Sequence, residues 1–406
     1  MKRDDPPMIS LEEAREKILA SLPRLGSERV PLSDALGSFA SEDVRSDRNV
    51  PSFDNSAFDG YAVHASDVAT ATAAHPATLR VIGIATAGSA PGPAFPKGSC
   101  LRIFTGAPMP AGADAVVMQE DTRTAGPDSV DILDTVRPRE GVRFAGEDVR
   151  PGDVLVRTGH RLNPPALALV ASTGIGSIPI HRRPSIFLLS TGSELIEPGL
   201  DPQPGQIHDS NGVLLRALAR NEGAKVIGCE RVTDEVHATV AALQRASAHA
   251  DVVITSGGVS VGDADLLRPA ITALGGSVDL WRIAIKPGKP FAYGRLGAAT
   301  WFGLPGNPVA AFVTWHVLVR PALRHLAGSR VSPFRSVHAH LGQTISNGGD
   351  RRHFIRVIVD EEGLVRPAGT QASHVHSSMA AANALLDVPP STTWETGRAV
   401  RVDLLD

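Results

Sequence analysis

Cysteine is almost missing from this chain: only Cys100 and Cys229 occur, too few and too far apart for a disulfide framework or a cysteine-based metal site. A reducing cytoplasm fits that usage. No apolar run approaches the roughly 18 residues of a membrane span, and the opening Met1-Lys-Arg-Asp-Asp-Pro-Pro lacks the apolar centre of a signal peptide. The expectation is a cytoplasmic protein with no membrane association. Excess positive charge is lacking too. A formal net charge of -3 gives no electrostatic reason to expect nucleic acid or an anionic membrane, so any anion binding must be local. There is no His-Glu-x-x-His, no Walker-type Gly-Lys-Ser/Thr and no three-glycine dinucleotide fingerprint. The histidines are scattered, and His374 and His376 alternate in a Ser-rich, strand-like stretch that reads as surface.

What is present is a chain of 406 residues, more than one core supports, so about two to four domains are expected. Ser10-Leu-Glu-Glu13 has the spacing of a capping box, and Ala14, Ile18 and Leu22 follow at helical spacing, so a helix should end near Pro23. From Val30 to Val154, short apolar runs such as 77–84 and 114–118 are broken by Gly, Pro and Asp, which reads as strands and turns. Beyond Arg183 the rhythm is strand, turn, helix, the pattern of a parallel sheet with crossover helices. Candidate strands are 185–189, 225–229, 252–255 and 278–285; candidate helices are 212–220, 236–246 and 264–273. From Ser332 β-like alternation returns, with a hairpin at 357–365. The plan is a β-rich front, an α/β middle and a small β tail.

In an open α/β sheet, ligands bind beyond the carboxyl ends of the strands. Ser190-Thr-Gly-Ser-Glu194 and Thr255-Ser-Gly-Gly-Val-Ser-Val-Gly262 fall there. The small residues Ser256, Gly257, Gly258 and Ser260 let backbone amides approach an oxyanion, and hydroxyls add donors. The same turn also serves as a plain strand-to-helix connection; its recurrence at two strand ends favours the oxyanion. Glu194, Asp209, Asp234, Asp263 and Asp265 lie near strand ends or helix starts, where an aspartate is also a natural N-cap, and for Asp209 and Asp263 both readings stand. Arg282-Ile-Ala-Ile-Lys-Pro-Gly-Lys289-Pro carries two lysines on a proline-stiffened loop, and lysines beside carboxylates suit a phosphate or other oxyanion with Mg²⁺. Gly303-Leu-Pro-Gly-Asn-Pro308 is a rigid turn with Pro308 at a first helical position, which leaves Pro305 and Asn307 unexplained. Far upstream, Pro51-Ser-Phe-Asp-Asn-Ser-Ala-Phe-Asp-Gly-Tyr-Ala62, with Asp59, is too rich in functional groups for a linker.

These stretches, with Thr105-Gly-Ala-Pro-Met-Pro-Ala-Gly-Ala-Asp114 and Gly146-Glu-Asp, resemble the MoeA family in order and spacing from about residue 8 to the end. These are the molybdopterin molybdenumtransferases, related to the carboxyl-terminal domain of gephyrin. The resemblance implies a multidomain α/β plus β fold: a central parallel-sheet α/β domain of molybdopterin-binding type, β-rich lid and linking domains, and a small C-terminal β-barrel-like domain. The corresponding boundaries are 24–50 with 146–180 (linking), 51–145 (lid), 8–23 with 181–328 (catalytic) and 329–406 (C-terminal). It implies insertion of molybdate into adenylated molybdopterin with release of AMP, in a homodimer whose active site is shared between subunits, fed by an adenylyltransferase and supplying molybdoenzymes. Carried over residue by residue, Asp59 and Thr105 come from the partner's lid, and Glu194, Asp234, Asp265 and Lys286 complete the catalytic set. Asp59, Asp234 and Asp265 would hold Mg²⁺. Ser256, Gly257, Gly258, Ser260, Arg282, Lys289, Pro305, Pro308, Arg351 and Ser373 would bind substrate. The chain departs from the family pattern at Phe58 for Met, Ser193 for Asp, His208 for Tyr and Arg282 for Lys. A pyrophosphatase built on a similar α/β domain would lack the Asp59 lid, and a scaffold protein would be expected to bring a long linker, extra domains or an exposed apolar groove for a peptide.

Overall fold

The computed structural model describes residues 8–259, 266–330, 332 and 334–405, with the backbone alone at 280 and 281. Two compact units emerge: one of Met1–Glu42, Thr158–Asn163 and Pro179–Asp406, the other of Asp43–Arg157 and Pro164–Ile178.

The larger unit begins with helix α1 (Leu11–Ser21), where the Ser10 hydroxyl accepts the Glu13 N–H at 3.1 Å. The Glu13 carboxylate pairs with Lys17 at 2.8 Å, along the helix, so only the serine half of the expected box is used. Leu11, Ala14, Ile18 and Leu22 are buried in one core with Ile186, Leu188 and Phe302.

That core lies on one face of a six-stranded sheet. Its strands are β1 (Ser185–Thr191), β2 (Lys225–Val232), β3 (Val252–Ser256), β4 (Ser277–Arg282), β5 (Pro290–Leu296) and β6 (Ala299–Leu304), in the order β2-β1-β3-β6-β5-β4. Successive side chains take opposite faces: Ile186, Leu188, Val252, Ile254 and Phe302 enter the first core, while Leu189, Val253 and Trp301 enter a second, under helices α2 (Val236–His249) and α3 (Leu267–Ala273). Burial on both faces explains the unbroken apolar runs. Strands β2, β1, β3 and β6 are parallel, and β5 runs antiparallel to both of its neighbours, β6 and β4, so β4 points the same way as the other four. The expected parallel sheet is present, with β5 as a single reversed strand between β6 and β4. The β5–β6 link is two residues long with Gly297 at φ 61°, and so short a link joins only antiparallel neighbours. The expected strand 278–285 also divides, with Ile285–Lys286 leaving to pair with Arg352 and His353. The helix expected at 264–273 is seen from Leu267, residue 264 lying outside the described residues.

A helix at Ser210–Asn221 runs between β1 and β2, and Glu222 beyond its end is buried between Arg320 and Arg324, each at 2.7 Å. Both arginines belong to a buried helical run from Pro308 to Leu326 that includes a π-helical turn at Trp315–Val319. The β tail carries the expected hairpin, Arg352–Val359 antiparallel to Leu364–Pro367, and its sheet closes on itself through pairing of Arg352–Val359 with Ala384–Val388.

The second unit is built on a six-stranded sheet that includes Gly60–Val63, Ala77–Ala85, Ser99–Ile103 and Ala115–Met118. Val63, Leu79, Cys100, Val117 and Ile132 form its core, and burial pushes the Cys100 thiol up to about 12. Among the described residues, no helix is long and apolar enough to cross a membrane.

Candidate active site

The chain leaves β1 to form β2 on one side, then returns to form β3 on the other, so connections diverge between the carboxyl ends of β1 and β3. A cavity of about 1060 Å³ opens there, of a size suited to a large ligand. Three strand ends converge on it. Gly257, at φ 93°, lies so close to the end of β1 that an added Cβ would stand 2.6 Å from the Thr191 carbonyl oxygen. Gly306, after β6, lies against Gly257. Asn211, in the first turn of the 210–221 helix, ties the group together: its Nδ2 donates to Ser256 Oγ at 2.8 Å and to the Gly306 carbonyl at 2.7 Å. The carbonyl only accepts, which fixes the orientation of the amide.

Glu194, Asp209 and Asp234 line the cavity, as do Arg282 and Lys289. Asp209 is the helix cap, accepting the Gly212 N–H at 2.8 Å, and it also lines the cavity. Asp234 and Ser193 exchange two bonds: Ser193 N–H donates to Asp234 Oδ2 at 3.0 Å, and Asp234 N–H donates to Ser193 Oγ at 3.0 Å. A serine at 193 thus orients the aspartate without adding charge. Lys289 is set by its carbonyl, which accepts the Ile283 N–H at 3.1 Å.

In the other unit, Asp59 Oδ1 accepts both the N–H and the hydroxyl of Thr105 at 2.8 Å. These bonds, the backbone one first, hold the exposed carboxyl below the usual carboxylate range. The two motifs interlock: Gly106 N–H donates to the Ser56 carbonyl at 2.8 Å, Ser56 N–H to Ala107 at 3.0 Å, and Met109 N–H to Asp54 at 3.0 Å. Gly60 passes so near the next strand that a Cβ would meet the Val117 oxygen at 1.9 Å.

Matches to known proteins cover nearly all of this framework. Residues 9–174 match the MoeA N-terminal region (domain I and II), 187–325 a probable molybdopterin binding domain, and 338–405 the MoeA C-terminal region (domain IV). The molybdopterin molybdenumtransferase of Haemophilus influenzae is 38% identical over 385 residues, covering 93% of this chain and 94% of that protein. The chain belongs to the MoeA family. Molybdopterin molybdenumtransferase 2 of Mycobacterium tuberculosis is also 38% identical, covering 94% of this chain and 96% of its own. The crystal structure of the molybdopterin biosynthesis MoeA protein from Pyrococcus horikoshii OT3 matches with a TM-score of 0.84 at 29% identity, covering 98% of this chain and 100% of that one.

Within this MoeA fold, Glu194, Asp234, Ser256, Gly257, Gly258, Arg282, Lys289, Pro305 and Pro308 come together on the cavity wall. Ser260, Asp263 and Asp265 lie outside the described residues. Lys286, Arg351 and Ser373 are not on that wall. Lys286 is on the edge strand beside His353, and Arg351 donates to the Ile285 carbonyl at 3.2 Å. Burial first, then the cations of Lys286, Arg356 and Arg351, hold the His353 imidazole down at about 4. His374 and His376 are exposed, as the sequence suggests, but belong to a turn and a short helix, His376–Ala381, rather than to a strand, and both line the cavity. Asn211 was missed; the polar run Asp209-Ser-Asn-Gly at a helix start was its only signal.

Proposed function

We propose that this protein is a molybdopterin molybdenumtransferase: it inserts molybdate into adenylated molybdopterin and releases AMP, completing the cofactor, in the cytoplasm and as a homodimer. The observation that carries the reading is the cavity between β1 and β3, where the Ser256-Gly257-Gly258 turn, Arg282 and Lys289 stand with Glu194 and Asp234. The turn offers closely approaching backbone for phosphate oxygens. Arg282 and Lys289 neutralise the phosphoanhydride and attract the molybdate dianion. Residues 51–145 act as the lid of one subunit, bringing Asp59 and Thr105 to the catalytic domain of the other, formed by 8–23 and 181–328. The linking domain comprises 24–50 with 146–180, and 329–406 forms the C-terminal domain, whose Arg351 and Ser373 stand off the cavity wall and would act on the substrate through the Ile285 carbonyl and the Val309 N–H that they hold.

The donor set suits Mg²⁺, because carboxylate oxygens are hard ligands. The described residues of one chain hold no group of three or more His, Cys, Asp or Glu side chains able to bind a metal. Asp234, held by Ser193, would be one ligand, with Asp59 and Asp265 as further donors and waters and substrate phosphates completing the shell. When bound, the ion supplies charge neutralisation at the phosphates. Asp59, an exposed carboxylate whose orientation the two Thr105 bonds fix, arrives as a ready anion. Purified protein given adenylated molybdopterin, molybdate and Mg²⁺ should release AMP and yield active cofactor. Chelation of the metal should stop it, and Asp59→Asn should lower the yield by at least roughly tenfold. Undiminished AMP release and cofactor yield from Asp59→Asn would remove that residue from the mechanism.

A further inference from the structure

The stretch from Gly369 to His376 reaches the cavity from the β tail, and an unusual amount of structure fixes it in place. Arg356, on the strand Arg352–Val359, is fully buried, and its NH2 donates to the carbonyls of Thr370 at 2.8 Å and Ala372 at 3.3 Å. Its Nε and NH1 have no hydrogen-bond partner among the described residues. A buried guanidinium so incompletely matched costs stability, so folding alone does not account for it. The Gln371 side chain adds a second clamp: its Oε1 accepts the Arg356 N–H at 2.9 Å, and its Nε2 donates to the carbonyls of Arg356 at 3.0 Å and Gly369 at 2.9 Å.

Ahead of these clamps the stretch is pinned to the cavity's own elements. The Ser373 carbonyl accepts the Val309 N–H at 3.2 Å, in the first turn of the helix after Pro308. His376 Nε2 meets Ser210 Oγ, the first residue of the 210–221 helix, at 3.0 Å. Four anchors thus define where the His374 and His376 side chains stand, and both remain exposed on the cavity wall. If the serine hydroxyl donates to Nε2, the His376 Nδ1–H is left as a donor to an anionic ligand; in the other tautomer Nδ1 accepts.

We propose that His376 is a substrate-contacting residue of the cavity, with His374 beside it, and that Arg356 is a positioning residue that acts through the 369–376 stretch. The ligand class is the phosphorylated, anionic substrate, so the inference rests on the function proposed above. To the tail residues already assigned, Arg351 and Ser373, it adds two histidine side chains on the wall itself and the buried arginine that places them.

The test combines kinetics with hydrogen exchange on the full-length protein. His376→Ala should raise KM for adenylated molybdopterin by roughly tenfold while kcat stays within about twofold, because a lost hydrogen bond to a charged group weakens binding to that extent. His376→Gln, which keeps a donor, should recover part of the loss. Ser210→Ala should raise KM in the same direction, and its effect should be less than additive with that of His376→Ala. Arg356→Lys should speed amide exchange across 370–376 by roughly tenfold while exchange in Arg352–Val359 changes little, and should raise KM with it. Should Arg356→Lys not fold, Gln371→Ala provides the same readout. A folded His376→Ala protein with unchanged KM, or unchanged exchange at 370–376 in the clamp variants, overturns the inference while wild-type activity keeps the proposed function intact. Wild-type protein that neither binds adenylated molybdopterin nor releases AMP overturns both.

Discussion

Gly60 follows Asp59 directly, and the close approach of the Val117 oxygen leaves no room for even a methyl group there. Gly60→Ala should therefore destabilise the second unit by about 3 kcal/mol through overpacking, seen as an earlier urea transition. The sequence marks the glycine but not its reason, since a turn and a strand contact both ask for glycine. Asp234 and Glu194 were legible as strand-end carboxylates, and the structure places both on the cavity. Lys286 and Lys289 looked equivalent on one loop. They separate because Ile285–Lys286 is taken up by the tail sheet while the Lys289 carbonyl is held by Ile283. His376 reads from sequence as a surface residue of a strand-like stretch because its helix, six residues long, gives no periodicity.

Among elements, the strands at 185–189, 225–229 and 252–255 were readable because burial on both faces leaves continuous apolar runs. The β5–β6 hairpin was not, since glycine interrupts it: Gly294 in β5 would bring a Cβ to 1.9 Å from the Ser277 oxygen, so the break in pattern is a close strand contact. Two ion-paired carboxylates fix elements that matter for the cavity. Glu222, only 6% exposed in its side chain, joins the end of the 210–221 helix to Arg320 and Arg324. Glu222→Gln removes the charge that both guanidinium groups face and should cost about 3 kcal/mol, whereas replacing all three residues with apolar ones of similar volume should cost less; denaturant titration of the two variants checks the order. At the entry to β3, Asp251 accepts from Arg182 at 2.7 and 2.8 Å and from the Ser185 N–H and hydroxyl at 2.8 and 2.6 Å. Burial alone would raise the Asp251 carboxyl, but these donors outweigh it and hold it below its ordinary value. A depressed folded-state pKa means the contribution is complete above the ordinary carboxylate value of 3.8 and fades as pH falls through the folded one. Asp251→Asn should thus cost about 2 kcal/mol at neutral pH, and its gap to wild type should close in acid, as melting curves across pH 2 to 7 would record.

For the whole molecule, the proposed exchange of lids between subunits makes a quantitative prediction. Mixing Asp59→Asn protein with Lys289→Met protein, after dissociation and reassembly, should restore about a quarter of wild-type activity. In a random mixture half the dimers are mixed, and each mixed dimer holds one site with neither substitution. Activity no higher than the sum of the separate variants would place Asp59 and Lys289 in sites of the same chain. The order of segments was legible in the sequence, from the β-rich front to the small β tail. The division into two units was less so, because residues 158–163 return to the larger unit within a stretch otherwise belonging to the smaller, and nothing in local composition marks that return.

Helix α1 adds a consequence for how the protein is made. Its apolar residues, Leu11, Ala14 and Ile18, pack with Ile186 and Phe302, so the ribosome must synthesise the intervening segments before their partners exist. At about 5 to 20 residues per second, that interval is on the order of ten seconds or more. The second unit can complete its own sheet in that time, while α1 waits with its apolar face uncovered. Slowing translation within residues 22–185 should therefore lengthen the time during which this face can be captured by a chaperone, without altering the finished fold.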